Sequence, residues 1–300
     1  MYHLPALLRE TIDYLNIKKG GIYVDATFGG GGHSKAILQQ LGDDGRLIGF
    51  DQDEDAQDNV VDDSRFTFVN HNFQYLKRFL RLYGIDKVDG ILADLGVSSH
   101  QLDKAERGFS YRFEAELDMR MNQQDELKAS DILNTYRADE LQSVFSRYGE
   151  VRNAKTLANI IVENRRLRPY LHTNDFLTVI EPVIRGSRLR YLSQVFQALR
   201  IEVNQEMQVL ETFLTQAHEC LNPGGRLVII SYHSLEDRIT KNFLKTGNVK
   251  GEVEQDFYGK ITRPFKILTK KAVLPTKEEC RENPRARSAK LRTGEKIVSE

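Results

Sequence analysis

Asp25-Ala26-Thr27-Phe28-Gly29-Gly30-Gly31-Gly32-His33-Ser34 lies between a β-rich run, Ile22 to Thr27, and a helical one, Lys35 to Leu41, where Ile37, Leu38 and Leu41 share one face. Strand, glycine turn and helix in that order open a βαβ unit. Four consecutive glycines leave no Cβ to keep a ligand off the backbone, and the following helix N-terminus adds a partial positive field. Such a turn suits a polar ligand.

The same alternation continues downstream. Arg46 to Asp51 reads as a second strand followed by an acidic helix from Asp53, and Phe66 to Asn70 as a third. Phe73 to Tyr83 is its helix, with Phe73, Leu76, Leu80 and Tyr83 on one face, and Val88 to Asp94 is a fourth strand. After Gly96 the rhythm breaks. Leu141, Val144, Phe145 and Tyr148 form a helical stripe, Leu157, Ile160 and Ile161 another, and Thr173-Asn174-Asp175 resembles an N-cap. Alternation resumes with Met207, Leu210, Leu214, Ala217 and Leu221, a helix stopped by Pro223-Gly224-Gly225, and then the strand Arg226 to Ser231. The economical reading is an α/β, doubly wound Rossmann-like sheet split by an all-helical insert, with residues 1–108 and 201–300 in the sheet domain and 109–200 in the insert. Beyond Lys245 the pattern weakens apart from Phe257 to Leu268, which predicts edge structure or a loose basic tail.

Composition narrows the class. The chain has 300 residues, 43 basic and 43 acidic side chains and 40% apolar residues, enough for a real core and against a wholly disordered chain. Two cysteines, Cys220 and Cys280, make no disulfide framework, no CxxC or HExxH spacing offers a metal cage, and a reducing cytoplasm fits. No apolar run approaches the ~20 residues of a membrane span, and the first twenty residues lack a signal-peptide pattern. Charge is sorted along the chain: residues 1–63 hold 5 basic and 12 acidic residues, residues 150–200 hold 9 and 4, and residues 241–300 hold 15 and 8. The basic clusters Arg165, Arg166, Arg168 and Arg185, Arg188, Arg190 suit phosphate neutralisation, or are solvated helix faces.

In an open parallel sheet the ligand lies beyond the carboxyl ends of the strands. Asp51, 22 residues after Gly29, sits where a carboxylate accepts hydrogen bonds from both ribose hydroxyls, which implies a nucleoside-bearing cofactor. A dinucleotide fingerprint GxGxxG begun at Gly29 would need glycine at position 34, where Ser34 stands, and no GxxxxGK[ST] occurs. S-adenosylmethionine needs only close backbone approach and a ribose acceptor. Asp94, ending the fourth strand, can accept an N–H bond from an exocyclic base amine, or it caps a turn. Phe73 can lie against an adenine ring or start a helix in the core. Neither cysteine follows a sheet strand, so a covalent thiolate adduct at a pyrimidine C5 is disfavoured and direct transfer to an amine or hydroxyl is favoured. His233 can orient a base or shuttle a proton, or can be a structural histidine at a turn. Two rival classes are a non-catalytic RNA-binding protein on a degenerate cofactor fold and a nicotinamide-dependent oxidoreductase.

Residues 25–34 together with Tyr2-His3 through Leu7-Leu8, Asp94-Leu95-Gly96-Val97-Ser98-Ser99, Arg107-Gly108-Phe109-Ser110 and Leu117-Asp118-Met119-Arg120-Met121 resemble blocks of one family. So do Gln197-Ala198-Leu199-Arg200-Ile201, His233-Ser234-Leu235-Glu236-Asp237-Arg238 and Glu282-Asn283-Pro284-Arg285-Ala286-Arg287-Ser288. It is the bacterial ribosomal RNA small subunit methyltransferase H (MraW-type) family. The resemblance implies S-adenosylmethionine-dependent methylation of N4 of a cytidine in the decoding region of 16S ribosomal RNA, held within the small ribosomal subunit; because the sulfonium loses its charge in the transfer no metal is needed, and nothing in the sequence requires a membrane. The resemblance also implies a helical substrate-recognition insert, and cofactor contacts at Gly31, Gly32, His33, Asp51, Phe73, Asp94 and Gln101, with Asp94 and His233 as catalytic candidates. Gln101 rests on the resemblance alone. His100 and Glu116 stand where the family often has proline, departures that bear on loop shape.

Overall fold

The computed structural model describes residues 5–253, 255 and 263–297. In chain order its elements begin with helix α1 (Leu8–Leu15), β1 (Ile22–Asp25), α2 (Gly32–Gln40), β2 (Arg46–Phe50), β3 (Phe66–Val69), α3 (Leu76–Leu82) and β4 (Val88–Asp94). Then follow α4 (Ser99–Asp103), α5 (Ala129–Thr135), α6 (Ala138–Arg147), α7 (Ala154–Asn164), α8 (Thr173–Ile180) and α9 (Arg188–Val203). The chain closes with α10 (Glu206–Cys220), β5 (Leu221–Ser231), α11 (Ser234–Thr246), β6 (Phe265–Ile267), α12 (Lys277–Glu282) and β7 (Lys290–Lys296). Two compact units result: residues 1–96 with 207–300, and residues 97–206. These boundaries lie earlier than 108/109 and later than 200/201, because Arg107 donates to the carbonyls of Arg120 and Met121 and α9 runs on to Val203.

The first unit is a seven-stranded sheet in the order β3-β2-β1-β4-β5-β7-β6. The first four strands and β5 pair in parallel, whereas β7 is antiparallel to β5 and β6. Strand geometry turns alternate residues to opposite faces, so Val24 and Ile48 join one core with Leu76, Leu80, Phe213, Leu214 and Phe243. Their neighbours Tyr23 and Leu47 join another with Ile12, Leu15, Ile37 and Leu38. Helices therefore cover both faces, and the sheet is doubly wound.

Local differences from the expected pattern have physical causes. The acidic run after Asp53 is a 3₁₀ turn, Glu54–Asn59, not an α-helix: only Ala56 is buried, so no apolar stripe holds longer helix. Phe73–Tyr75 is likewise a 3₁₀ turn capped by Asn72, with α3 starting after it. β5 begins at Leu221, not Arg226, and the pairing shifts between Val88 and Gly90 so that Asn222 to Gly225 are accommodated as a bulge. The basic end of the chain is not loose, since β7 fills an interior position of the sheet with Leu291 and Thr293 buried. Part of Phe257 to Leu268 lies outside the described residues; β6 falls within the remainder.

The second unit has its own core, in which Leu133, Leu141, Phe145, Leu157, Ile161, Phe176 and Leu199 are fully buried. Its regular elements among the described residues are helices, apart from one antiparallel bridge, Glu116 to His172. No helix among the described residues is long and apolar enough to cross a membrane.

Candidate active site

β1 ends at Asp25, whose carboxylate is fully buried and accepts from the Ser34 hydroxyl at 2.7 Å and the Thr27 amide at 3.2 Å. Ser34, the residue that breaks the dinucleotide fingerprint, is thus the tie between α2 and β1. The glycine turn is bent by left-handed residues: Gly29 has φ 49° and Gly31, the N-cap of α2, φ 72°. A Cβ on Gly31 would come 3.0 Å from the Phe28 ring, and one on Gly32 would come 2.9 Å from Pro5. The backbone here is therefore bare by steric requirement.

Asp51 follows β2 and is locked to that turn. Its Oδ2 accepts the Gly29 amide at 2.7 Å and its Oδ1 the Asp53 amide at 2.9 Å, while Asn70 donates to its backbone carbonyl at 3.1 Å. Asn59 donates to the Gly29 carbonyl at 3.0 Å from the other side. Burial raises the Asp51 carboxyl to about 6, with the two amides opposing the rise. Each oxygen keeps a lone pair for a further donor.

Asp94 closes β4, its amide donating to Thr27 Oγ1 at 2.7 Å, which ties the ends of β1 and β4. Its Oδ1 accepts the Tyr232 hydroxyl at 2.8 Å, and its Oδ2 lies 3.8 Å from His33 Nδ1. Burial raises this carboxyl to about 7; the Tyr232 hydroxyl opposes the rise, and the charges of Asp25 and Glu236 add to it. His33 is buried, and its Nε2 lies 3.1 Å from the Ala6 carbonyl. A carbonyl only accepts, so Nε2 carries the proton. Burial lowers the imidazole to about 4, which leaves it neutral with a lone pair on Nδ1 facing Asp94.

Phe73 stands after β3 and packs edge-on against Phe213, ring centres 4.9 Å apart, so it is both a core contact and a partly exposed ring at the strand tips. His233 precedes α11, and its Nε2 is 3.1 Å from Glu236 Oε1. Glu236 Oε2 also accepts the Tyr232 amide at 2.9 Å, so this pair shapes the turn that carries Tyr232. Gln101 belongs to the helical unit, where it is buried and forms a reciprocal capping box with Ser98 at the start of α4. Cys220 is buried at the amino end of β5, away from the strand tips, and burial raises its thiol.

Structure thus gathers Gly31, Gly32, His33, Asp51, Phe73 and Asp94 at one edge of the sheet. Sequence reasoning missed Tyr232 as Asp94's partner and Asn59 and Asn70 as braces of the turn. Asn70 was readable as a strand-end residue. The Tyr232 link spans 138 positions and left no local signal.

The strand tips that carry these residues belong to a parallel array closed by an antiparallel β7 beside β5. An rRNA methylase from Streptococcus thermophilus aligns over 97% of this chain and 94% of its own, 13% identical, with a TM-score of 0.40. The ribosomal RNA small subunit methyltransferase H of Phocaeicola vulgatus is 56% identical over 297 residues, covering 99% of this chain and 98% of that protein. The protein of the same name from Flavobacterium johnsoniae is also 56% identical, with the same coverage. The model of the MraW methylase family matches residues 1–297, and the chain belongs to that family.

Proposed function

We propose that the protein is an S-adenosylmethionine-dependent ribosomal RNA methyltransferase that acts on the N4 exocyclic amine of a cytidine in the decoding region of 16S ribosomal RNA. The observation that carries the reading is the Gly29–Asp51 hydrogen bond, which fixes a carboxylate beside a bare glycine turn at the strand tips. The residues fit the cofactor: the turn's own residues, Gly29 to Gly32, carry no side chains, and Asp51 retains acceptor capacity for two ribose hydroxyls. Family membership supports methyl transfer, and the names of the relatives support a small-subunit RNA substrate.

When bound, S-adenosylmethionine supplies an electrophilic methyl group on a sulfonium. Gly31 and Gly32 would admit it to the backbone, Asp51 would orient its ribose, Phe73 would flank its base and His33 would complete the contacts of the sheet unit; Gln101 is assigned by the family resemblance alone. Asp94 offers Oδ2 as an acceptor while Tyr232 holds Oδ1. An amine proton accepted at Oδ2 leaves the nitrogen lone pair free for in-line attack. The target base is splayed from its stack to reach this edge. His233 serves by shaping the Tyr232 turn through Glu236. Residues 97–206 recognise the substrate, and the enzyme works in the cytoplasm.

Purified protein incubated with methyl-labelled cofactor and undermethylated small subunits, followed by mass spectrometry of the nucleosides, tests this. The expected product is N4-methylated cytidine at one decoding-region position. Label at a ring carbon, or on no RNA, would overturn the reading.

A further inference from the structure

At the end of the sheet opposite the strand tips, a cavity of about 560 Å³ opens between α3, the turn before β4, the end of α10 and the end of β7. Four cations line it, Lys77, Arg81, Lys87 and Lys296, against two acids, Asp86 and Glu219. We infer that this cavity is a second RNA-contacting site, which grips backbone phosphates of the substrate. The inference rests on the proposed RNA substrate.

The cations are held in place from below. Lys296 Nζ donates to the carbonyls of His218 at 2.6 Å and Leu221 at 2.9 Å, and Lys87 Nζ donates to the Glu219 carbonyl at 2.5 Å. Lysines at the end of α10 complement its dipole, which accounts for these bonds but does not exhaust the groups. An ammonium has three donors, so Lys296 keeps one and Lys87 two. Lys77 is matched by Glu219 at 2.5 Å. Arg81 is exposed, and its side chain makes no hydrogen bond or ion pair with another described residue. Positive charge is in excess: the Lys296 ammonium is pushed down from its ordinary value by burial and then by the charge of Lys87. A bound anion would relieve that repulsion.

The occupant is a phosphodiester and not a free nucleotide, because the lining's aromatic ring, His218, already packs edge-on against Phe265 and no Phe, Tyr or Trp lines the cavity to sandwich a base. β4 runs from this end to the other, roughly 20 Å at about 3.3 Å per residue, too far for one nucleotide to reach both sites. An extended or folded RNA spans it.

The test is anisotropy of a fluorescein-labelled RNA oligonucleotide from the decoding region, titrated with full-length protein between about 50 and 200 mM KCl. Arg81→Gln and Lys87→Gln are each expected to lower the slope of log K against log salt by roughly 0.7 to 1 and to weaken low-salt binding several-fold. Arg9→Gln, on the exposed face of α1, should change neither. Calorimetry with S-adenosylmethionine should give the same affinity in all four proteins, so a failure of the cofactor site shows separately. Unchanged slopes in both cavity variants, with wild-type RNA binding intact, would overturn the site. Saturation by inorganic phosphate with no change in RNA slope would mark a small-anion site and overturn it too. Wild-type protein that ignores RNA while binding the cofactor would overturn the substrate reading and this site together.

Discussion

Asp94 carries its proton up to about pH 7, and its two oxygens are inequivalent, one held by Tyr232 and the other open toward His33. Accepting an amine proton requires the ionised form, so kcat/KM should rise about tenfold per unit below pH 7 and level off above it. The kcat profile should break at lower pH, because the cofactor's positive charge stabilises the carboxylate once bound. Asp94→Asn is expected to lose on the order of 10²–10⁴ in kcat and to flatten both profiles. Stability moves the other way. Between about pH 4 and 7 the folded state keeps a proton that the unfolded chain has already released, so ionisation of Asp94 destabilises the cofactor-free protein as pH rises. Thermal melts should therefore show Asp94→Asn gaining on the wild type, by a few kcal/mol at most, at pH 8 but not at pH 4. Equal differences at both pH values would mean that the carboxyl is not raised. Asp51 is raised to about 6 in the same way, and its removal severs the Gly29 and Asp53 amide bonds as well as the ribose contact. Asp51→Ala should weaken S-adenosylmethionine binding by roughly 2–3 kcal/mol, about 30- to 150-fold by calorimetry. Both aspartates are legible in the sequence because parallel strands bring their carboxyl ends to one edge whatever the helices do. The proton state of Asp94 is not legible, since it depends on Tyr232 and on burial by distant segments.

Among the elements, the end of the chain, expected as edge structure or a loose basic tail, meets the first expectation in β6, the outermost strand, and neither in β7. Lys290, Arg292 and Lys296 argue for a tail, yet β7 lies inside the sheet between β5 and β6. The charges are tolerated because each finds a distant partner: Arg292 pairs with Asp237 at 2.6 Å, and Lys296 reaches carbonyls 75 and 78 positions away. Those partners lie in α11, α10 and the start of β5, so no local window of sequence reveals them. The alternation Leu291, Thr293, buried against polar neighbours, was the signal available, but it is too short to outweigh the charge. A chain ended after Ser288 would lose this strand, expose the backbone edge of β5 and unroof Phe265, which packs on Gly294. It should be recovered only as aggregate, with no cooperative melt by circular dichroism. A soluble, cooperatively folding product would show that β7 is an accessory. The glycine turn, by contrast, was readable in outline, since only glycine lets Gly31 adopt φ 72° beside the Phe28 ring.

For the whole molecule, the break in strand rhythm after Gly96 marks a real change of architecture, because a helical stripe such as Leu141, Val144 and Phe145 needs a partner that the sheet faces do not supply. The partners are other stripes of the same unit. Phe145, Leu157, Ile161, Phe176 and Leu199 are fully buried within one continuous core that contains no residue of the sheet unit. Polar fastenings are internal as well: Arg165 donates to the carbonyls of Leu133 and Tyr136, Asn134 to that of Tyr170, and Arg200 pairs with Glu206 at 2.8 Å. A segment of about this length with its own core is within the size range of autonomous domains. Residues 97–206 expressed alone should therefore give a helical spectrum and a single cooperative thermal transition, and Phe145→Ala should lower its stability by about 3–5 kcal/mol. A non-cooperative melt of the fragment would instead mean that the helical unit takes its order from the rest of the chain.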